Sequence, residues 1–329
     1  MVRDWLVSAD DRTGAFEVAA LLASAGAPVR VDVGEVGDGP AVVDLGSRAA
    51  TAHRAAELMR SVPASTWRAH KIDSTLRGNW LSEVGELHGR VLVAPAWPAM
   101  GRTCVHGVVH VHGEALASVP AALDAAGLTY DLLADPMTDP APLERWLAGQ
   151  GPVAVVDAAS TTSIDAIAGA VARHEVVVVG PAGPIGAAFR SRHGGGPAEP
   201  LPVVDGPRVV VCASASPVAR EQVARVRSLL PVVEVIDTAL PDGPLHPGAA
   251  RELAVVARSS MRDAGLVVLV GGDTAAAVLG DAPRWVGGFA APGMPWSLDQ
   301  HHLGPVVVSK AGAFGDADTL VRLLSRETE

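Results

Sequence analysis

The sequence contains only two cysteines, Cys104 and Cys212, in 329 residues. They are far apart and in no Cys-x-x-Cys pair, which excludes a disulfide scaffold and a thiolate zinc site and suits a reducing compartment. Aromatic residues are also scarce, at 4% with one Tyr and four Phe, so a core has to be built from Ala, Val and Leu. Positive charge is in deficit: 26 Lys and Arg stand against 36 Asp and Glu, a formal net charge of −10. That balance argues against a sequence-independent nucleic-acid binder, which needs a basic face, yet it allows a local basic pocket for a small anion. Long hydrophobic runs are missing as well. Apolar runs such as 176–179 and 266–270 are strand-length and too short to cross a bilayer. The opening MVRDWLVSADD lacks the apolar stretch of a signal peptide. A soluble, cytoplasmic protein is expected, with neither nucleic acid nor membrane as a partner.

What the chain does have is apolar mass, 49% hydrophobic residues against 19% charged, enough for a core and against intrinsic disorder. Short Val-rich runs alternate with segments of helical period. Residues 5–9 read as a strand and 13–25 as a helix, with Val18, Leu21, Leu22 and Ala25 on one stripe and Gly26 at the C-cap. Strand 41–45 with helix 49–60, strand 153–157 with helix 163–173, and strand 176–180 follow. In the second half, strand 208–213 leads to Ser216-Pro217, read as an N-cap with proline at the first helical position, and to a helix ending near Leu230. Strand 232–236 precedes a helix over 249–263 with Leu253, Val256, Ala257 and Ser260 on one face. Strand 266–270, a short helix from Asp273, strand 306–309 and a helix from Asp316 complete the pattern. Such alternation predicts an α/β fold of two domains, each with a mainly parallel sheet flanked by helices. The Gly/Pro-rich stretch 193–207 marks the boundary, giving domains over 1–195 and 208–329 joined by a 196–207 linker. The segment 112–150 gives no strand order.

In doubly wound sheets, ligands bind where strand ends enter helix N-termini. Polar residues and glycines gather at those points here: ADDRTGA (9–15), Gly46-Ser47-Arg48, KIDSTLRGN (71–79), Ser214-Ala215-Ser216, Gly271-Gly272-Asp273-Thr274 and Lys310-Ala311-Gly312-Ala313-Phe314-Gly315. A single Asp-Asp or Gly-Gly at a strand end is ordinary turn or cap chemistry. KIDSTLRGN is harder to explain that way, since a plain loop needs no set of two cations, a carboxylate and two hydroxyls. Several sharper motifs fail. There is no Gly-x-x-x-x-Gly-Lys-[Ser/Thr] phosphate loop, and HGGG at 193–196 has no Gly-x-Ser-x-Gly elbow to serve. His106, His110 and His112 share strand parity but lack an acidic or cysteine partner, which disfavours a metal site.

Taken in order, these motifs resemble the four-carbon acid sugar kinase family, ATP-dependent kinases of threonate, erythronate and oxo-tetronates. ADDRTGA is similar to the family's ADDLTGA, Gly46-Ser47-Arg48 to its Ser-Arg element, and KIDSTLRGN is nearly unaltered. PAWPAMGRT (95–103) resembles PAFPxxGRT, CASAS (212–216) GSxS, GGDT (271–274) GGET, PGMP (292–295) PGVP, and KAGAFG (310–315) KSGGFG. The resemblance implies a sugar-acid-binding N-terminal domain, an ATP-binding C-terminal domain and an active site in the cleft between them. Three departures stand out. Arg12 replaces a leucine and adds a charge beside the expected substrate, Ala213 replaces a glycine, and the chain is shorter than typical members.

On this resemblance, Asp11 and Asp10 are the catalytic candidates, with Asp11 ahead, for orienting and deprotonating a hydroxyl. Arg12, Ser47, Arg48, Lys71, Asp73, Ser74, Thr75, Arg77, Gly78 and Arg102 are the substrate-binding set, with Arg48, Lys71 and Arg77 directed at a carboxylate. Ser214, Ser216, Gly271, Gly272, Asp273, Thr274, Gly293, Lys310, Gly312 and Gly315 are expected to take ATP, and Asp273 to hold Mg²⁺. The expected partner is a small anionic sugar acid. A homodimer, a different specialised hydroxy-acid substrate and a non-catalytic binding relative all stay open on sequence alone.

Overall fold

A computed structural model describes residues 3–24, 26–149, 151–238 and 248–325. In chain order the elements begin with β1 (Arg3–Ala9), α1 (Arg12–Leu22), β2 (Val29–Val33), β3 (Ala41–Asp44), α2 (Ala52–Arg60), β4 (Ser65–Lys71), α3 (Trp80–Val84) and β5 (Arg90–Val93). Next come β6 (Arg102–Val105), β7 (Val108–Val111), β8 (Glu114–Ser118), α4 (Val119–Ala125), β9 (Asp131–Leu133) and α5 (Ala141–Leu147). Then follow β10 (Val153–Val156), α6 (Thr161–Val171), β11 (Val176–Gly180) and α7 (Ala182–His193). The remainder gives β12 (Arg208–Cys212), α8 (Pro217–Leu229), β13 (Glu234–Asp237), α9 (Ala249–Ser260), β14 (Leu266–Val270) and α10 (Gly272–Leu279). It ends with β15 (Arg284–Ala291), β16 (Met294–Leu298), β17 (Val306–Lys310) and α11 (Thr319–Leu324).

The protein is α/β, with parallel strands flanked by helices. Two compact units account for the chain, one of residues 1–22 and 32–196, the other of 23–31 and 197–329. The division between 196 and 197 lies inside the Gly/Pro-rich stretch 193–207. The transfer of 23–31 to the second unit departs from the reading of 1–195 as one block. Its cause is hydrogen bonding, because Val29, Arg30 and Val31 pair antiparallel with Val286, Trp285 and Arg284 of β15.

In the first unit the strand order is β3-β1-β4-β11-β5-β10-β9, parallel throughout. Strands such as Val153–Val156 and Val176–Gly180 are buried along their whole length, as a parallel sheet covered on both faces requires. A separate antiparallel sheet, β6-β7-β8, runs over 102–118 and reaches only the start of the 112–150 segment that gives no strand order from sequence. It corrects the reading of His106 and His112 as strand residues. Both have left-handed φ (51°) and are followed by Gly107 and Gly113, also at positive φ, the two-residue hairpin geometry that follows strand twist.

In the second unit, β13-β12-β14-β17 are parallel, and β16, β15 and the first half of β2 extend them antiparallel. The apolar run of β14 serves both faces. Leu266, Val268 and Val270 pack with Val223 and Val226 of α8 and Leu320 and Leu323 of α11. Val267 and Leu269 pack with Leu253 and Ala257 of α9 and Val278 of α10.

Several element expectations need adjusting. Helix α1 ends at Leu22, so Gly26 sits in the turn closed by Ser24 and Ala27 instead of capping it. Ala25, assigned to the apolar stripe, lies outside the described residues. Ser216 begins α8 by position but makes no side-chain cap; its own N–H donates to Ser214 Oγ at 3.3 Å. On α9 Leu253 and Ala257 are buried whereas Val256 is 57% exposed, because only a narrow stripe of that helix meets the sheet. Helix α11 begins at Thr319, since Asp316 is drawn into hydrogen bonds with Thr319 and Arg322.

Candidate functional site

Ala9 is level with Asp44 of β3 on one side and with Lys71 of β4 on the other, so three adjacent parallel strands end together. Their outgoing loops carry Asp10-Asp11, Ser47-Arg48 and Asp73 to Arg77. Backbone bonds stitch the loops: Asp10 N–H donates to the Lys71 carbonyl at 3.1 Å and Arg48 N–H to the Asp10 carbonyl at 3.0 Å.

Arg48 is the centre of the constellation. Its Nε and one terminal nitrogen grip both oxygens of Asp10 at 2.9 and 2.8 Å, and the other terminal nitrogen reaches Asp11 Oδ2 at 2.5 Å. Asp73 Oδ1 lies 3.6 Å from the same guanidinium. The two aspartates differ in access. Asp10 is 1% exposed and also accepts the Asp73 N–H, whereas the Asp11 side chain is 22% exposed. Asp11 Oδ1 caps α1 by accepting from Gly14 N–H at 2.8 Å, which leaves Oδ2 to Arg48. Burial pushes the Asp11 carboxyl above its ordinary value of 3.8, with the Asp10 charge adding to that and Arg48 and Lys71 opposing it. Asp73 goes the other way. Burial would raise it, but hydrogen bonds from Arg77 and Thr75 and the charge of Arg48 hold it well below the usual range. Arg77 donates to both of its oxygens at 2.9 and 2.8 Å.

The loop that makes this possible is strained. Leu76 has φ 60°, a left-handed conformation that costs a non-glycine residue about 1 kcal/mol or more and is concentrated at functional sites. Gly78 (φ 90°) passes over Arg48 so closely that a Cβ would stand 2.9 Å from Arg48 Cγ. The side-chain amide of Asn79 donates to the carbonyls of Ser47 and Ala50, both at 2.8 Å, holding the short turn that carries Arg48.

Other predicted residues take different places. Arg12 is buried with its Nε 2.7 Å from Asp44 Oδ2, its charge neutralised within the fold. Lys71 is buried and its Nζ donates to the Ile72 carbonyl at 2.9 Å. Ser74 and Thr75 are half-buried and Gly78 exposed in the same loop. Arg102 donates to the Met100 carbonyl and leaves a buried Nε without a partner among the described residues. Ser47 is buried and its hydroxyl donates to Glu83 Oε1.

That last contact exposes a network that sequence reasoning missed. Glu83 Oε2 is 3.0 Å from His70 Nε2, and His70 Nδ1 is 3.0 Å from Ser8 Oγ, all buried. Burial would raise the Glu83 carboxyl, but His70 and the Ser47 hydroxyl outweigh it and hold it below its ordinary value of 4.5. A folded-state value below the unfolded one gives stability that is present above pH 4.5 and lost as pH falls through the folded value. Acid titration of unfolding free energy should therefore show a decline below that pH in the wild type and a flatter acid limb in Glu83→Gln. Parallel limbs in the two proteins would remove Glu83 from the acid response.

In the second unit Cys212, Val270 and Lys310 end their strands level. Gly271 N–H donates to the Lys310 carbonyl at 2.8 Å, and the Thr274 hydroxyl donates to Val270 O and accepts from Ala213 N–H. Gly312 lies so close to Ser214 that a Cβ would collide with its hydroxyl, and Gly293 packs against the Phe314 ring. Gly315 (φ 83°) turns against Thr319. The four motifs thus meet around one strand-end face, with Gly272 and the exposed Asp273 opening α10. Helices α8 and α10 both start without a side-chain cap. Lys310 is buried with Nζ donating to the carbonyls of Ala311, Gly312 and Phe314. Burial lowers its pKa to about 8. Gln222 Nε2 donates to the carbonyls of Phe314 and Asp316 at 3.1 and 2.6 Å and clamps the same loop. Among the described residues no three His, Cys, Asp or Glu side chains are grouped to hold a metal, and no helix is long and apolar enough to cross a membrane.

A family model described as a sugar-binding N-terminal domain matches residues 5–188, more than half of the chain. The chain belongs to the four-carbon acid sugar kinase family. Among curated members of that family, a D-threonate kinase from Cupriavidus necator is 32% identical over 269 residues, covering 68% of this chain and 63% of that protein, so under two thirds of the relative is matched. A D-threonate kinase from Bordetella bronchiseptica is 27% identical over 95% of its length and 96% of this chain. Two solved structures share the fold: one from Salmonella typhimurium LT2, provisionally labelled a tRNA synthase (TM-score 0.80, 19% identity, 99% of each chain), and a Haemophilus influenzae protein (TM-score 0.69, 20% identity, 97% of this chain and 99% of that one).

Proposed function

We propose that this chain is an ATP-dependent kinase that phosphorylates a terminal hydroxyl of a small sugar acid of the threonate, erythronate or oxo-tetronate type. The observation that carries this reading is the half-exposed Asp11 carboxylate held by Arg48 at the level ends of three parallel strands. The curated relatives' names point to the same chemistry. In the reading, Asp11 orients the acceptor hydroxyl and takes its proton on Oδ2. Its raised pKa makes it the better base, whereas Asp73 stays ionised and weakly basic. Arg77, 70% exposed, and the open side of Arg48 take the substrate carboxylate. Arg12, Ser47 and Lys71 then support the site from beneath.

The second unit fits a polyphosphate. Gly271 and Gly312 stand where a side chain would crowd Ser214, and the uncapped start of α10 at Gly272 presents N–H donors. Bound ATP supplies the transferred phosphoryl group. Asp273 would be one ligand of Mg²⁺, with phosphate and water completing the shell, and Ser214, Ser216, Gly293 and Gly315 shape the cradle. Lys310 and Thr274 hold its loops.

ADP release measured over a panel of four-carbon sugar acids should identify at least one acceptor. Gly312→Val should raise the KM for ATP at least ~10-fold while leaving acid affinity unchanged, because the added side chain has no room beside Ser214. Absence of turnover with every acid, or unaltered ATP affinity in Gly312→Val, would overturn the reading or this placement respectively.

A further inference from the structure

Glu17 was not among the predicted site residues, and its position on α1 looks like ordinary helix surface. Along that helix Thr13, Glu17 and Leu21 are the half-buried positions, while the other described side chains from Arg12 to Leu22 are buried. The Glu17 side chain is 21% exposed, about as accessible as Asp11, and Lys71 Nζ stands 3.8 Å from its Oε2. That is a long ion pair, and no hydrogen bond to either carboxylate oxygen is made among the described residues. Lys71 reaches this spot by crossing α1 at Gly14, where a Cβ would lie 2.9 Å from Nζ. The charges of Lys71, Asp11, Arg102 and Arg48 all act on Glu17, and burial pushes its carboxyl up. A desolvated carboxylate with spare acceptor capacity amid the charges of a binding site is unusual for a structural residue.

We propose that Glu17 reads the substrate: its carboxylate accepts a hydrogen bond from a secondary hydroxyl of the bound acid and makes the site selective for hydroxylated acids over their deoxy analogues. This rests on the sugar-acid reading above and deepens it. A half-buried acceptor that the bound ligand shuts off from water is costly to leave without a donor, so a site built this way discriminates against a ligand lacking the hydroxyl. The alternative role, neutralising Lys71, makes a different prediction: removing Glu17 would free the lysine and shift the affinity for all acids together.

The test compares wild type, Glu17→Ala and Glu17→Gln with threonate, 2,4-dihydroxybutanoate and 3,4-dihydroxybutanoate. Kd is measured by calorimetry without nucleotide, and kcat/KM by ADP release. Wild type should prefer threonate over one of the two analogues by ~10-fold or more. Glu17→Ala should collapse that preference to within ~2-fold through loss of threonate affinity, with Glu17→Gln intermediate because its amide oxygen still accepts. An unchanged preference in both variants overturns the assignment, as does a uniform change for all three acids. Binding without turnover would sink the kinase reading while the Kd ratios still decide on Glu17. No binding of any acid by the wild type would overturn both.

Discussion

Arg48→Met is expected to lower the unfolding free energy by about 3 kcal/mol, the lower end for breaking a buried ion pair, because Arg48 keeps some contact with water. The loss comes from buried Asp10 and half-buried Asp11, which no other cation bridges among the described residues. Urea titration should show a lower midpoint with an unchanged slope, and turnover should fall below detection even at denaturant-free conditions where the variant is folded. Arg48→Lys keeps the charge but not the fork, so it should recover part of the stability and little of the activity. Full recovery of both by lysine would show that charge alone matters there.

Asp11→Asn should reduce kcat by ~10²-fold or more with little change in the KM for ATP, the scale expected for loss of a general base. The wild-type pH profile gives an independent readout. Burial raises the Asp11 carboxyl, so the acid limb of kcat/KM should lie above pH 3.8, and activity should fall as the pH drops through it. The Asn variant should lose that limb. Asp10→Asn should behave differently, since Asp10 is 1% exposed and wholly engaged with Arg48 and the Asp73 N–H. Its main effect should be on stability. A collapse of kcat in Asp10→Asn alongside a near-normal Asp11→Asn would reverse the assignment.

Much of the fold is legible in the chain because buried parallel strands advertise themselves as Val runs, and β11 and β14 fall where those runs are. The polar clusters at strand ends are legible for the same reason: nothing in a covered sheet favours Asp-Asp or Lys-Ile-Asp-Ser except its rim. What composition cannot reveal is pairing. Arg12 and Arg48 are each one arginine after a strand, yet one is consumed by Asp44 and the other organises three carboxylates. Ser8, His70 and Glu83 are unremarkable singly; the register of β1 against β4 sets Ser8 level with His70, and α3 brings Glu83 to the imidazole. Glu17 escaped notice because it interrupts no apolar period. The antiparallel strands β15 and β16, with Gly, Pro and Trp in place of Val, have no clean alternation to read.

The assignment of residues 23–31 to the second unit bears on how this protein is made and how it can be cut. On the ribosome Val29–Val31 emerge early, and their partner Arg284–Val286 emerges near the end of synthesis. The early segment waits without its hydrogen-bonding neighbour while the rest of the first unit is translated, and the second unit can close only when translation is almost complete. A gene severed at residue 196 gives a downstream fragment whose β15 carries a bare edge at Arg284–Val286, the kind of unpaired edge that recruits foreign strands. A downstream fragment that carries its own copy of 23–31, as a circular permutant would, is expected to stay soluble where the bare fragment aggregates, a difference that light scattering would read.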